Sequence, residues 1–157
     1  MYDAQTRAVV VRQAFAEHGL PPFTAPKKLA RAEGFRVWTT PSTPLRCGAN
    51  EGDDLLIPVL PEAAEQALVV QHERSHGWWC RRGDNDATEA DAWLLTVEFV
   101  TPRASLAPIA RGPHPLATLE EHQPHAPSWF LRLCLERYYR SLQLDFSRIL
   151  GPEPFYR

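Results

Sequence analysis

The sequence predicts an α+β fold, with several helices packed on one face of a small three-stranded, mostly antiparallel sheet. Three observations predict it. The β-rich runs all fall between Phe35 and Leu60. Helical patterning occupies the chain on both sides of them. No internal repeat or low-complexity tract interrupts the order. With 157 residues, 44% hydrophobic and 10% aromatic, the chain suffices for one ordinary domain with a packed core.

Each element has a local reason. Residues 3–18 read as an amphipathic helix, with Val9, Val10, Phe15 and Ala16 among its apolar positions and Gly19 as its stop. Thr24 is a candidate cap for a short helix through about Glu33, with Pro26 in its first turn. Phe35–Thr40 is β-rich and reads as a strand. Leu45–Ala49 reads as a second, followed by turn chemistry at Asn50–Asp54. Leu55–Leu60 reads as a third. Its Pro58 cannot donate to a ladder, so an edge position or a bulge is expected. A long helix follows from about Glu62 to Trp79, then a loop at Arg81–Asp86. A further helix runs from about Ala87 to Val100, ahead of Pro102. Residues 101–127 hold six prolines and little periodicity, so an irregular segment is expected, with one short helix at Ala117–His122. Ser128 is read as the cap of a last helix.

Charge and composition narrow the function. Seventeen basic and nineteen acidic residues give a net charge of -2, which offers no general field for direct nucleic-acid binding. No apolar run approaches the roughly 18 residues of a membrane span. The start, MYDAQTRAVVVRQAF, has an apolar stretch of only four residues, too short for a secretory signal. Three widely spaced cysteines, Cys47, Cys80 and Cys134, do not make a disulfide scaffold. A cytoplasmic location is expected.

The chemically informative stretch is LVVQHERSHGWW. It contains His72-Glu73-Arg74-Ser75-His76, the pattern H-E-x-x-H. On a helix the two histidines project from one face about one turn apart. That spacing suits two imidazole nitrogens at about 2.0–2.1 Å from one zinc ion. Glu73, beside them, is then placed as the general base that takes a proton from water and passes it to a leaving amine.

A catalytic zinc needs a third protein ligand. The next helix offers Glu89 and Asp91, which point about 200° apart and cannot both face one metal. Each also has a local alternative as the third residue of a capping box, Glu89 with Asp86 and Asp91 with Thr88.

At these residues the sequence resembles the ImmA/IrrE family of zinc metallopeptidases, over about residues 3–102. That family places an H-E-x-x-H helix before a helix of the form E-A-N-x-F-A-A-x-L-L-M-P. Here the second pattern reads Asp91-Ala92-Trp93-Leu94-Leu95-Thr96-Val97-Glu98-Phe99-Val100-Thr101-Pro102. Counted back from Pro102 without a gap, Asp91 falls on the family's metal-binding glutamate. Counted from Glu89-Ala90-Asp91 as E-A-N, Glu89 does, at the expense of two extra residues within a helix. Asp91 is therefore the expected third ligand and Glu89 the alternative. The resemblance implies a zincin-like core over 1–102, with the Pro-rich segment and last helix of 103–157 packing on the same domain. It implies a Zn2+ cofactor and a protein substrate among helix-turn-helix transcriptional repressors. The chain departs from the family at Arg74-Ser75, where Leu-Gly is usual.

The reading is thus a cytoplasmic zinc endopeptidase that cleaves a protein regulator, bound as an added strand along Leu55–Leu60. The alternative is a non-cleaving, zinc-containing module that recognises a repressor or toxin–antitoxin partner. Other candidates carry plainer readings. Cys80, four residues after His76, reads as a small hydrophobe rather than a thiolate ligand. His114, His122 and His125 read as loop residues, and Tyr138 and Tyr139 as core, rather than as stabilisers of an oxyanion. Trp78 and Trp79 fill the core or wall the site. Arg132, Arg137 and Arg140 form the one candidate docking patch for an acidic partner.

Overall fold

The computed structural model describes residues 2–41, 48–84, 86–145 and 147–151. Cys47 and most of the expected strand Leu45–Ala49 lie outside them. The elements in order are α1 (Ala4–Glu17), α2 (Pro26–Ala32), β1 (Arg36–Thr40), β2 (Ala49–Glu51), β3 (Asp54–Pro58), α3 (Ala63–Arg81) and α4 (Glu89–Val100). They continue with α5 (Arg103–Ala110), α6 (Pro115–His122), α7 (Ser128–Ser141) and α8 (Ser147–Leu150). The α+β class therefore holds. Among the described residues no helix is long and apolar enough to cross a membrane.

Asp3 caps α1, its carboxylate accepting the Thr6 N–H at 2.7 Å. Thr24 does not cap α2. Its hydroxyl donates to the Pro21 carbonyl at 2.6 Å, and Ala25 takes the cap position ahead of Pro26. Ser128 likewise opens α7 as a helical residue behind Pro127, and its hydroxyl donates to Glu120.

The sheet is mixed rather than mostly antiparallel. Its order is β1-β3-β2, with β1 parallel and β2 antiparallel to β3. The Asn50–Asp54 stretch carries both strand and turn. Glu51 pairs with Asp54 across a two-residue loop in which Gly52 takes φ +61°, the left-handed setting such hairpins need. The expected edge strand around Leu55–Leu60 is the central strand. Pro58 is its last residue, so the missing N–H falls where the ladder ends. A substrate cannot add along β3, whose backbone is paired on both sides. The edges belong to β1 and β2.

Three of the six prolines of residues 101–127 begin helices instead of preventing them, Pro127 at the N-cap of α7 among them. Pro102 occupies the N-cap of α5 and Pro115 the first turn of α6. The short helix expected at Ala117–His122 is α6, and the unexpected α5 precedes it; both pack on α7 and on each other.

Helix α3 runs through the middle of the molecule. It packs against α2 and the sheet on one side and α4 on the other. Trp78 and Trp79 join Val11, Phe15, Leu29, Leu95 and Phe99 in one apolar cluster, fastening α1 to the α3–α4 pair. A second cluster unites Leu68 and Val100 with Leu119, Phe130, Leu131 and Leu135, so the C-terminal helices pack on the same two helices that carry the site.

Candidate metal centre

Five consecutive residues in α3 are polar and buried: Gln71, His72, Glu73, Arg74 and Ser75, each at most 7% exposed. Burying polar groups is unfavourable unless each finds a partner. On one face they do. Arg74 is fully buried and pairs with Glu33 beyond the end of α2, N to O 2.5 Å. Its guanidinium also lies over the Phe99 ring at 3.7 Å, and Nε donates to the Gln71 side chain. Burial pushes the Arg74 pKa down to about 10 against the pull of Glu33. Ser75 donates to the Gln71 carbonyl and lies 3.0 Å from the Thr96 hydroxyl of α4. These contacts fix α3 in rotation and aim His72 and Glu73 the other way.

On that other face His72 and His76 bring their Nε2 atoms to 3.2 Å. Glu89, the first residue of α4, meets both. Its Oε1 lies 2.8 Å from His72 Nε2 and its Oε2 3.0 Å from His76 Nε2. These three residues can hold a metal ion. The fit is close, since a tetrahedral site with bonds of about 2.0–2.1 Å separates its donor atoms by roughly 3.3 Å. Two imidazoles and a carboxylate are also a donor set of the kind zinc takes.

Asp91, the expected third ligand, is held away from the histidines by helix capping. Its Oδ2 accepts from the Thr88 N–H at 2.9 Å and from the Thr88 hydroxyl at 2.8 Å, and Thr88 Oγ1 accepts the Asp91 N–H in return. Those bonds hold the Asp91 carboxyl below its ordinary range. The capping box sets where α4 starts, and that start turns Glu89 toward α3.

The remaining nitrogen of His72, Nδ1, is buried and has no hydrogen-bond partner. The ring is instead held by Trp93, stacked on it with centroids 4.0 Å apart and planes at 23°. Trp93 lies four residues after Glu89, so α4 supplies both the carboxylate and the orienting ring. The sequence reading missed Trp93, although its spacing from Glu89 was the available signal. Burial lowers the His72 pKa, and the Glu89 carboxylate opposes that shift.

Glu73 lines the same cleft as His72 and Glu89. Burial, and then the neighbouring Glu89 carboxylate, push the Glu73 carboxyl up to about 7. Leu60, Leu68, Val69, Trp93 and Trp129 make the walls of this cleft, about 490 Å³ in volume. Gly48, just before β2, closes on Glu73 so tightly that a Cβ there would sit 2.5 Å from Glu73 Cγ and 2.9 Å from the Leu56 carbonyl oxygen. Gly48→Ala is therefore expected to destabilise the fold by about 1–3 kcal/mol, as overpacking does. Urea denaturation checks it, and an unchanged midpoint would show that β2 can move aside.

The other candidates lie elsewhere. Cys80, expected to be a buried small hydrophobe, is exposed at the end of α3, while Cys134 is buried, and neither is in a disulfide. Burial raises the Cys134 thiol to about 12. His114 precedes α6, His122 bonds the Thr118 carbonyl through Nδ1, and neither joins the metal group, nor does His125. Tyr138 and Tyr139 are core residues, and the Tyr139 hydroxyl donates to the Ala110 carbonyl. Arg132 is buried, bonded to Glu136 and to the carbonyls of Leu150 and Gly151, and so leaves the expected docking patch. The chain matches no known family, no curated protein and no solved structure.

Proposed function

We propose that the protein is a zinc-dependent peptidase that hydrolyses a peptide bond in another protein. The observation that carries this is the meeting of His72, His76 and Glu89 beside a buried Glu73 on the floor of an apolar cleft. Zinc held there would supply Lewis acidity to the scissile carbonyl and make water a stronger acid. Glu73 would take the proton from the attacking water and return it to the leaving amine. A carboxyl whose burial lifts it toward neutrality suits that exchange. The apolar walls would seat a hydrophobic side chain of the substrate and keep bulk water from the reacting centre. The outer edge of β2, which pairs with no other strand among the described residues and lies close to Glu73 at Gly48, replaces β3 as the strand along which an extended substrate can lie. The resemblance to ImmA/IrrE metallopeptidases supports the same reading and directs the search for a substrate to helix-turn-helix repressors.

Glu73→Gln tests it. The amide keeps the shape and cannot take up the proton, so zinc should remain and turnover of a quenched fluorescent peptide library should fall about 10²–10⁴-fold. Wild-type turnover in this variant would remove Glu73 from the mechanism. A wild-type protein that binds the library and zinc without cutting any member would be the non-cleaving module instead.

A further inference from the structure

Away from the cleft, three arginines from three helices gather around a second, smaller cavity of about 120 Å³. They are Arg7 of α1, Arg103 of α5 and Arg137 of α7, with Glu98 of α4 also lining it. Glu98 does not pair with a guanidinium among the described residues. Its Oε1 accepts the backbone N–H of Arg103 at 2.9 Å, and burial shifts its carboxyl toward the protonated form. Arg103 rests over the Tyr138 ring, 5.3 Å to the centroid, and donates to the Ser141 hydroxyl at 3.1 Å. Arg7 donates to the Tyr2 carbonyl. Arg137 is exposed and makes no hydrogen bond or ion pair among the described residues, yet lies close enough to Arg7 to repel it. The acidic groups that reach Arg7 besides Glu98 are Asp3 and Asp91, whose carboxylates are engaged by Thr6 and Thr88. Glu98, Asp3 and Asp91 thus lie near, yet none of the three guanidiniums has a carboxylate within ion-pair distance among the described residues.

We propose that this cavity is a docking site for an acidic peptide segment of a partner protein, whose aspartate or glutamate carboxylates are taken by Arg7, Arg103 and Arg137. Planar guanidinium groups recognise carboxylates in pairs of parallel hydrogen bonds. The surface around the cavity favours a peptide over a small anion. On α7, Trp129 and Leu133 precede Arg137 at four-residue intervals, and both are exposed, 41% and 40%. An apolar stripe therefore leads from the arginines to Trp129, which lines the cleft. Eight residues of helix span about 12 Å, and about four residues of extended chain cover that distance. That one peptide fills both the cavity and the cleft rests on the peptidase reading; docking of the acidic segment does not.

The experiment uses the full chain and fluorescein-labelled tetraglutamate, with labelled tetraglutamine as control, followed by fluorescence anisotropy at low ionic strength. Tetraglutamate should bind and tetraglutamine should not. Arg137→Glu should weaken tetraglutamate binding about tenfold or more, and Arg137→Gln by less. His76→Ala should bind it as the wild type does, so loss of the metal site leaves the docking site standing. Equal binding of the two peptides overturns the proposal, as does full affinity in Arg137→Glu. Displacement of tetraglutamate by equimolar inorganic phosphate would also overturn it, in favour of a small-anion site.

Discussion

Glu89→Ala is expected to strip the protein of tightly bound zinc, while Asp91→Ala keeps it. Glu89 is 65% exposed at its side chain, yet both of its oxygens face histidine nitrogens within 3.0 Å. Its two oxygens and the two histidine nitrogens make a group that could hold a metal ion. Removing it leaves two imidazoles, and the zinc affinity should fall by well over the 10–100-fold typical of losing an outer-shell partner. Asp91→Ala removes half of a capping box, which should lower stability by about 1 kcal/mol and alter zinc affinity far less. Competition with a chromogenic chelator ranks the two. If Asp91→Ala releases the metal and Glu89→Ala retains it, the assignment made from the capping box is wrong.

The second large effect is expected at the buried Arg74. Arg74→Ala should destabilise the fold by about 3–5 kcal/mol, because Glu33 is left charged and only 8% exposed at its side chain. Much of that loss is the stranded charge and not the worth of the pair. Arg74→Met combined with Glu33→Leu should therefore recover most of the stability lost by Arg74→Ala. Urea denaturation measures both. A single substitution costing less than about 1 kcal/mol would mean that Glu33 escapes to water.

The helix carrying His72, Glu73 and His76 was legible in the sequence because a four-residue spacing on a helix fixes two side chains on one face. The third member was legible only in part. Both Glu89 and Asp91 could be found, but the count from Pro102 gave weight to the far end of α4. What decides the matter is the near end, where Thr88 and Asp91 cap one another and so set the rotation of the first turn. The alternative count from Glu89-Ala90-Asp91 had named Glu89. The order of the strands was not legible, because β1 and β3 pair in parallel across residues that local patterning does not connect. Pro58 misled for a related reason. Its missing N–H excludes it from the middle of a ladder, and the last residue of a central strand satisfies that rule as well as an edge does. The prolines of residues 101–127 were read as breaks where three-dimensional packing uses three of them as helix starts.

The central claim, that His72, His76 and Glu89 form a zinc site, is tested most directly by elemental analysis of the wild-type chain after zinc loading and exhaustive dialysis. The geometry predicts about one zinc per chain, released by a strong chelator and regained on adding zinc. A folded chain that retains no zinc under those conditions would contradict it, and would leave the histidines as hydrogen-bond partners of Glu89 and nothing more.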